Sequence, residues 1–379
     1  MKYNIYVKMK NWVPNKSIDK DIVDKLFEKS LETNHFTNNG PNVQLLESFI
    51  KDKFKIDDDK SVIVVTNGAV ALHSITSGIQ YTENRMIQWA TQSFTFPPSA
   101  QSNLSNVEIV DIDRDGGIDL ELIDKSTNGI IVTNIFGNVV DIDKYTEWAK
   151  INNKFLIFDN AATAYTFYKG KNSLNYGNGC IISFHHTKPF GFGEGGAIIV
   201  DKKYENAIRC LNNFGIGLTE HDYWVKEGNN NKMSDISAVY ILQFLMNNFD
   251  KIVSHHDDLY KYVKEKIEKV EKVEKVEKVE KVEKVEKTTE EGGNELKWKL
   301  FPSFHEDNII VPSCLCILFD NYDDNTRLKL LENNIFCRKY YYPLKKTKIS
   351  CEIFDSILCI SFTTETTKED IDAIFELVT

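Results

Sequence analysis

The sequence predicts an α/β fold with a mostly parallel central sheet. Short β-branched or apolar runs recur between residues 61 and 200, and helical periodicity fills several of the gaps between them. Buried strands alternating with helices are the pattern of a parallel sheet covered on both faces. The chain has 379 residues, enough for roughly two structural units around one large core.

The elements follow in order. Asp21–Leu31 places Ile22, Val23, Leu26, Phe27 and Leu31 at helical spacing. After a turn at Asn38, Asn39, Gly40 and Pro41, Val43–Phe54 reads as a second amphipathic helix with Leu45, Leu46, Phe49 and Ile50 on one side. From Ser61 the texture changes. Ser61–Thr66 is a strand ending at Asn67 and Gly68, and Ala69–Ile79 is helical. The further apolar runs are Met86–Ala90, Val107–Ile112, Gly129–Ile135, Phe155–Phe158, Cys180–Phe184 and Ala197–Val200, with a helix at Ile142–Ile151. Near the end, Val311–Phe319 and Leu358–Phe362 read as strands, and Asn325–Asn333 and Lys368–Leu377 as helices. The expected division is a large α/β domain over residues 1–250 and a small α+β domain over 251–379. The small domain contains a Glu-Lys-Val repeat at 265–287. A period of three matches neither a helical stripe nor a coiled-coil seam, so the valines form no face. The repeat therefore reads as a charged, partly helical surface insertion, or else as a partner-binding helix.

Composition narrows the function. Lys and Arg total 46 and Asp and Glu 56, a net charge of −10, which argues against non-specific nucleic-acid binding, because that needs a basic face. The seven cysteines are odd in number with no CxxC spacing, and read as reduced thiols of a cytosol-like compartment. The first twelve residues lack a signal-like apolar core, and no stretch approaches ~20 apolar residues. The expectation is a soluble, cytoplasmic protein without membrane or nucleic-acid partners.

Three strand ends carry chemistry. Thr66, Asn67, Gly68 and Ala69 lead from a strand into a helix, where free amides and the helix dipole can hold a phosphate, although a lone glycine there can also be only a turn. Asp159 ends the apolar run Phe155–Phe158; it is either a helix cap or a carboxylate aimed into a site. Lys188 leaves the run Cys180–Phe184 into a glycine-rich loop, an expensive place for an ammonium without a task. His185 and His186 are adjacent and face opposite sides of an extended chain, so no metal site is expected there.

Together these residues resemble the DegT/DnrJ/StrS family of pyridoxal-phosphate-dependent sugar aminotransferases, over nearly the whole chain except the repeat. The matching segments are Thr37–Val43 before a helix carrying Glu47, Asn67–Leu72, Ser93–Phe96, Phe158–Ala162, Ser183–Lys188, Gly193–Gly196 and Gly228–Asp235. The resemblance implies a fold-type I architecture, pyridoxal 5'-phosphate as cofactor and a homodimer with composite active sites. It implies that Lys188 bonds covalently to the cofactor and later moves a proton, and that Asp159 pairs with the ring nitrogen. Phe96 would stack on the ring. Ser183 and the Gly68 and Ala69 amides would bind the phosphate, with Asn230 reaching it from the partner subunit. Two positions depart from the family pattern: Ala69 replaces a usual Ser or Thr, so a hydroxyl contact is missing, and Ala162 stands where a Gln or His is frequent, so that polar contact is absent or supplied elsewhere.

The implied reaction is amination of a nucleotide-linked keto sugar with glutamate as donor. Lysine at 188 disfavours the family's dehydratase branch, which resembles this chain but carries histidine there. The run His185–Gly191 with Asp159–Ala161 looks closest to the transaminases that make 4-amino-4,6-dideoxyglucose on dTDP, the viosamine type. A 3-keto or GDP-linked substrate and a non-catalytic cofactor-binding scaffold are the alternatives. Tyr340–Pro343 reads either as core or as a contribution from the C-terminal unit to the substrate site.

Overall fold

Two helices open the part of the chain that the computed structural model describes, which comprises residues 11–219, 224–284, 297–302 and 309–378. Helix α1 (Lys20–Thr33) starts at Asp19, whose carboxylate accepts from the Ile22 N–H at 3.1 Å. Helix α2 (Pro41–Lys53) has no cap of its own. Its first amides are met instead by Asp235, whose Oδ1 accepts from Asn42 N at 2.8 Å and Val43 N at 2.9 Å. A Cβ on Gly40 would lie 2.6 Å from that oxygen, so only glycine lets the carboxylate approach.

The sheet follows. Strand β1 (Lys60–Val65) runs into helix α3 (Gly68–Thr82), then β2 (Trp89–Gln92), β3 (Glu108–Val110) and β4 (Gly129–Thr133). Helix α4 (Ile142–Ile151) leads to β5 (Phe155–Asp159), a short ribbon of β6 (Phe167–Tyr168) and β7 (Lys171–Asn172), then β8 (Gly179–Ser183) and β9 (Gly196–Asp201). The seven-stranded order is β1-β9-β8-β5-β4-β2-β3. The pairs from β8 to β3 are parallel, whereas β9 runs antiparallel to both β1 and β8. Strands β1, β4 and β8 are buried at every position because both faces are covered. Alternation sends Ile63, Val65, Ile131, Ile157 and Ile181 to a core shared with Leu72 and Ile75 of α3. It sends Val62, Val64, Ile130, Val132, Phe158 and Ile182 to a core shared with Leu46 and Ile50 of α2. The run Met86–Ala90 yields a strand only from Trp89, where pairing with Gly129 begins; Met86 is 79% exposed.

Helix α5 (Glu205–Leu211) precedes α6 (Asp235–Lys284), a single helix of 50 residues. Leu242, Leu245, Phe249 and Ile252 of α6 pack into the large core. Leu259 and Val263 pack into the core of a four-stranded antiparallel sheet, β10-β11-β13-β12. That sheet comprises β10 (Trp298–Leu300), β11 (Cys314–Phe319), β12 (Cys337–Arg338) and β13 (Ile357–Ser361). Helices α7 (Asp324–Glu332), α8 (Lys348–Ser356) and α9 (Lys368–Val378) complete this unit. The Glu-Lys-Val repeat thus extends a helix already anchored in two cores, and its last three residues lie outside the described residues. The seven cysteines form no disulfide, and no helix among the described residues is long and apolar enough to cross a membrane.

Candidate active site

Parallel strands β4, β5 and β8 end side by side, and the candidate residues stand at those ends. Asp159 is the last residue of β5, opposite Thr133 of β4 and Ile181 of β8, and is only 5% exposed. No helix follows it, so it does not serve as a helix cap; its Oδ1 accepts from Ala161 N at 3.0 Å within a turn. Burial pushes its pKa up, opposed by that N–H and by the charge of Lys188. Lys188 sits five residues beyond the end of β8, in a turn closed by Lys188 N donating to His185 O at 2.8 Å and Gly191 N donating to Lys188 O at 3.0 Å. Burial pushes the amine's pKa down, opposed mainly by the Asp159 carboxylate. A desolvated base and a desolvated acid thus feel one another's charge beyond adjacent strand ends.

The start of α3 lies against the end of β8. Asn67 caps the helix through Oδ1, which accepts from Val70 N at 2.9 Å. The Gly68 and Ala69 amides, in the first turn, have no acceptor within the helix. A Cβ on Gly68 would stand 2.9 Å from the Ser183 Cβ, so the glycine lets the helix N-terminus and the Ser183 side chain converge. Two amides, a hydroxyl and the positive end of a helix then point into one place, an anion cradle. Phe96 follows β2 in the loop leading to a 3-10 turn and is 58% exposed, an unusual position for a large ring. Its ring lies 6.4 Å from that of Tyr341, which stacks on Phe136 at 5.0 Å. The Tyr340–Pro343 segment thereby reaches the site from the small unit. Asn230 is placed differently: it is exposed, bridges to Asn213 and accepts from Lys232 Nζ at 2.7 Å, beside the outer edge of β1. The paired histidines diverge: His185 Nδ1 lies 2.8 Å from Thr187 Oγ1, while His186 packs edge-on against Phe192.

Lys16 is a residue that no local signal in the sequence marks. Its Nζ donates to the carbonyls of His186 and Lys188 at 2.8 Å each and of Gly191 at 2.5 Å, and lies 4.9 Å from the centre of the Phe244 ring. One ammonium thus ties the N-terminal segment to the turn that carries Lys188. Burial alone lowers its pKa to about 7, whereas three carbonyl acceptors favour the charged form. Lys16→Met would remove this donor from the carbonyls of His186 and Gly191 and one of the two donors from that of Lys188, which keeps the Gly191 N–H. It should cost about 1–3 kcal/mol of stability, seen as a lower urea midpoint at unchanged m-value.

The profile of the DegT/DnrJ/EryC1/StrS aminotransferase family matches residues 16–379. The chain belongs to this family. It is 26% identical over 324 residues to a dTDP-4-amino-4,6-dideoxy-D-glucose transaminase of Shigella dysenteriae, covering 83% of this chain and 79% of that one. It is 29% identical over 238 residues to a UDP-4-amino-4,6-dideoxy-N-acetyl-beta-L-altrosamine transaminase of Campylobacter jejuni, covering 59% of this chain and 61% of the relative. Its fold matches that of a DegT DnrJ EryC1 StrS aminotransferase from Brucella abortus with a TM-score of 0.74 at 19% identity, over 95% of each chain. The cofactor of the DegT/DnrJ/EryC1/StrS aminotransferases is pyridoxal phosphate. This chain's residues fit that group. The cradle at Gly68 and Ser183 suits a phosphate dianion, Phe96 leaves a ring face open, and the buried carboxylate of Asp159 suits a protonated ring nitrogen.

Proposed function

We propose that the protein transfers an amino group from glutamate to a nucleotide-linked keto sugar, with dTDP-4-keto-6-deoxyglucose as the acceptor. The observation that carries this reading is that Asp159 and Lys188 feel one another's charge beyond neighbouring strand ends, beside an anion cradle. Pyridoxal phosphate, when bound, supplies an electron-withdrawing ring that stabilises negative charge on the substrate carbon. The chain does the rest. The Lys188 amine, kept from solvent and easier to deprotonate than an ordinary lysine, takes the proton from the donor's α-carbon and delivers it where the chemistry needs it. Asp159 holds a proton on the ring nitrogen; an anion in a low-dielectric place does this far better than water could. Gly68, Ala69 and Ser183 bind the phosphate, and Phe96 covers one ring face and excludes water. The methyl of Ala69 offers no hydroxyl, so the main-chain amides carry more of the phosphate.

The dTDP-linked acceptor rests on the resemblance around Lys188 and on the Shigella relative, the longer of the two sequence matches. Purified enzyme offered a panel of nucleotide keto sugars with glutamate should aminate dTDP-4-keto-6-deoxyglucose, as read by mass spectrometry. Amination confined to 3-keto or GDP-linked sugars would move the assignment to those substrates. Bound cofactor whose visible absorbance glutamate leaves unchanged would instead favour the scaffold reading.

Asn230 is assigned to the partner's phosphate site. An exposed amide at the outer edge of β1 is free to meet a second chain, and the segment Gly228–Ser234 resembles the family's trans-acting segment. The functional unit is then a homodimer sharing its active sites. Mixing Lys188→Ala with Asn230→Asp, each inactive alone, collects both defects in one site of the mixed dimer and frees the other. Up to half of wild-type activity per mixed dimer should return. Proven subunit exchange without recovery would refute a shared site.

A further inference from the structure

The face of the small sheet that turns toward the large unit carries three thiols. Alternation along β11 and β13 sends Leu315, Ile317, Leu358 and Ile360 into the small unit's core. It sends Cys314, Cys316 and Cys359 to the other side, among Phe94, Ile135, Phe136 and Phe301. Cys316 and Cys359 stand directly opposite one another in the antiparallel ladder, and Cys314 lies two residues earlier on the same face. All three are buried, with their sulfurs within 4.8 Å of one another and Cys314 and Cys316 Sγ 3.4 Å apart.

The spacing suits coordination. With metal–sulfur bonds of ~2.3 Å, three sulfurs in a plane around one ion stand about 4 Å apart. One pair stands 3.4 Å apart and the others no more than 4.8 Å apart, in the range of that value. The donor set is all sulfur, with no carboxylate or imidazole in the group. Hard cations want oxygen, and structural zinc is almost always completed by a fourth ligand. A soft ion content with three thiolates is the better match, and copper(I) is of that kind. We propose that Cys314, Cys316 and Cys359 form a three-thiolate binding site for a soft monovalent cation of the copper(I) type, behind the candidate active site. Up to three S–H protons leave to solvent as three metal–sulfur bonds form, and no electron is transferred.

The test is an anaerobic titration of the holoenzyme with the coloured copper(I)–bicinchoninate complex. The wild type should withdraw one copper(I) per chain, and X-ray absorption of the product should show three sulfurs at ~2.3 Å and no light-atom ligand. Cys359→Ala should reduce uptake to none at the same competitor concentration. A double variant, Cys210→Ala with Cys351→Ala, removes two partly exposed thiols outside the group and should keep full uptake. Failure of the wild type to compete, loss of uptake in the double variant, or a shell of two sulfurs would overturn the proposal. So would a Cys316–Cys359 disulfide in the anaerobic protein. The absorption measurement needs no substitution, so the proposal stays falsifiable even if Cys359→Ala does not fold.

Discussion

Lys188→Ala should lower transamination by roughly 10⁴-fold or more, since in the proposed function it removes both the cofactor's attachment point and the proton-transferring base. The fold should survive. The side chain is lodged in a turn held by main-chain bonds, His185 O to Lys188 N and Lys188 O to Gly191 N, and by the Lys16 ammonium on the Lys188 carbonyl. None of these needs the Lys188 amine. An unchanged circular dichroism spectrum with cofactor released on gel filtration is the expected signature. Turnover within tenfold of wild type would remove Lys188 from the chemistry.

Asp159→Asn should keep some cofactor and lose activity by about 100–1000-fold, a range typical of removing one preorganised electrostatic partner. In the proposed function Asp159 keeps a proton on the ring nitrogen, which an amide cannot do. A second consequence follows from the charge on Lys188. The Asp159 carboxylate opposes the burial that lowers the lysine's pKa, so neutralising it should let that pKa fall further. In the apoenzyme, Lys188 should then react with a neutral amine-modifying reagent at lower pH than in the wild type. An unchanged reactivity profile would show that the two side chains do not sense each other. Full turnover would show that the carboxylate serves the turn at Ala161 and nothing else.

Much of this arrangement was legible in one sequence. Strand-to-turn junctions at Gly68, Asp159 and Lys188 show as apolar runs ending in residues that strands and cores do not favour. Those junctions fall where the structure puts β1, β5 and β8, within a residue or two of the expected ends. Less legible were elements whose reason lies elsewhere in the chain. The first 30 residues of α6 face two different cores in succession, so their apolar positions follow no single stripe. Likewise α2 begins at Pro41 because its first amides meet a carboxylate 193 residues beyond Asn42.

The sequence by itself determined the α/β architecture and marked Gly68, Asp159 and Lys188 as candidates at strand ends. Each of those is a local property: hydrophobic periodicity, the cost of burying a charge, and the lack of a Cβ. Only the tertiary structure decided what meets what. It set Gly68 against Ser183, put Tyr341 beside Phe96, closed the Lys188 turn with Lys16 from the far N-terminal side, and collected three cysteines from two strands. Those contacts come from strand order, register and the docking of the small unit on the large one. They join residues up to hundreds of positions apart, and no residue's neighbours along the chain encode them.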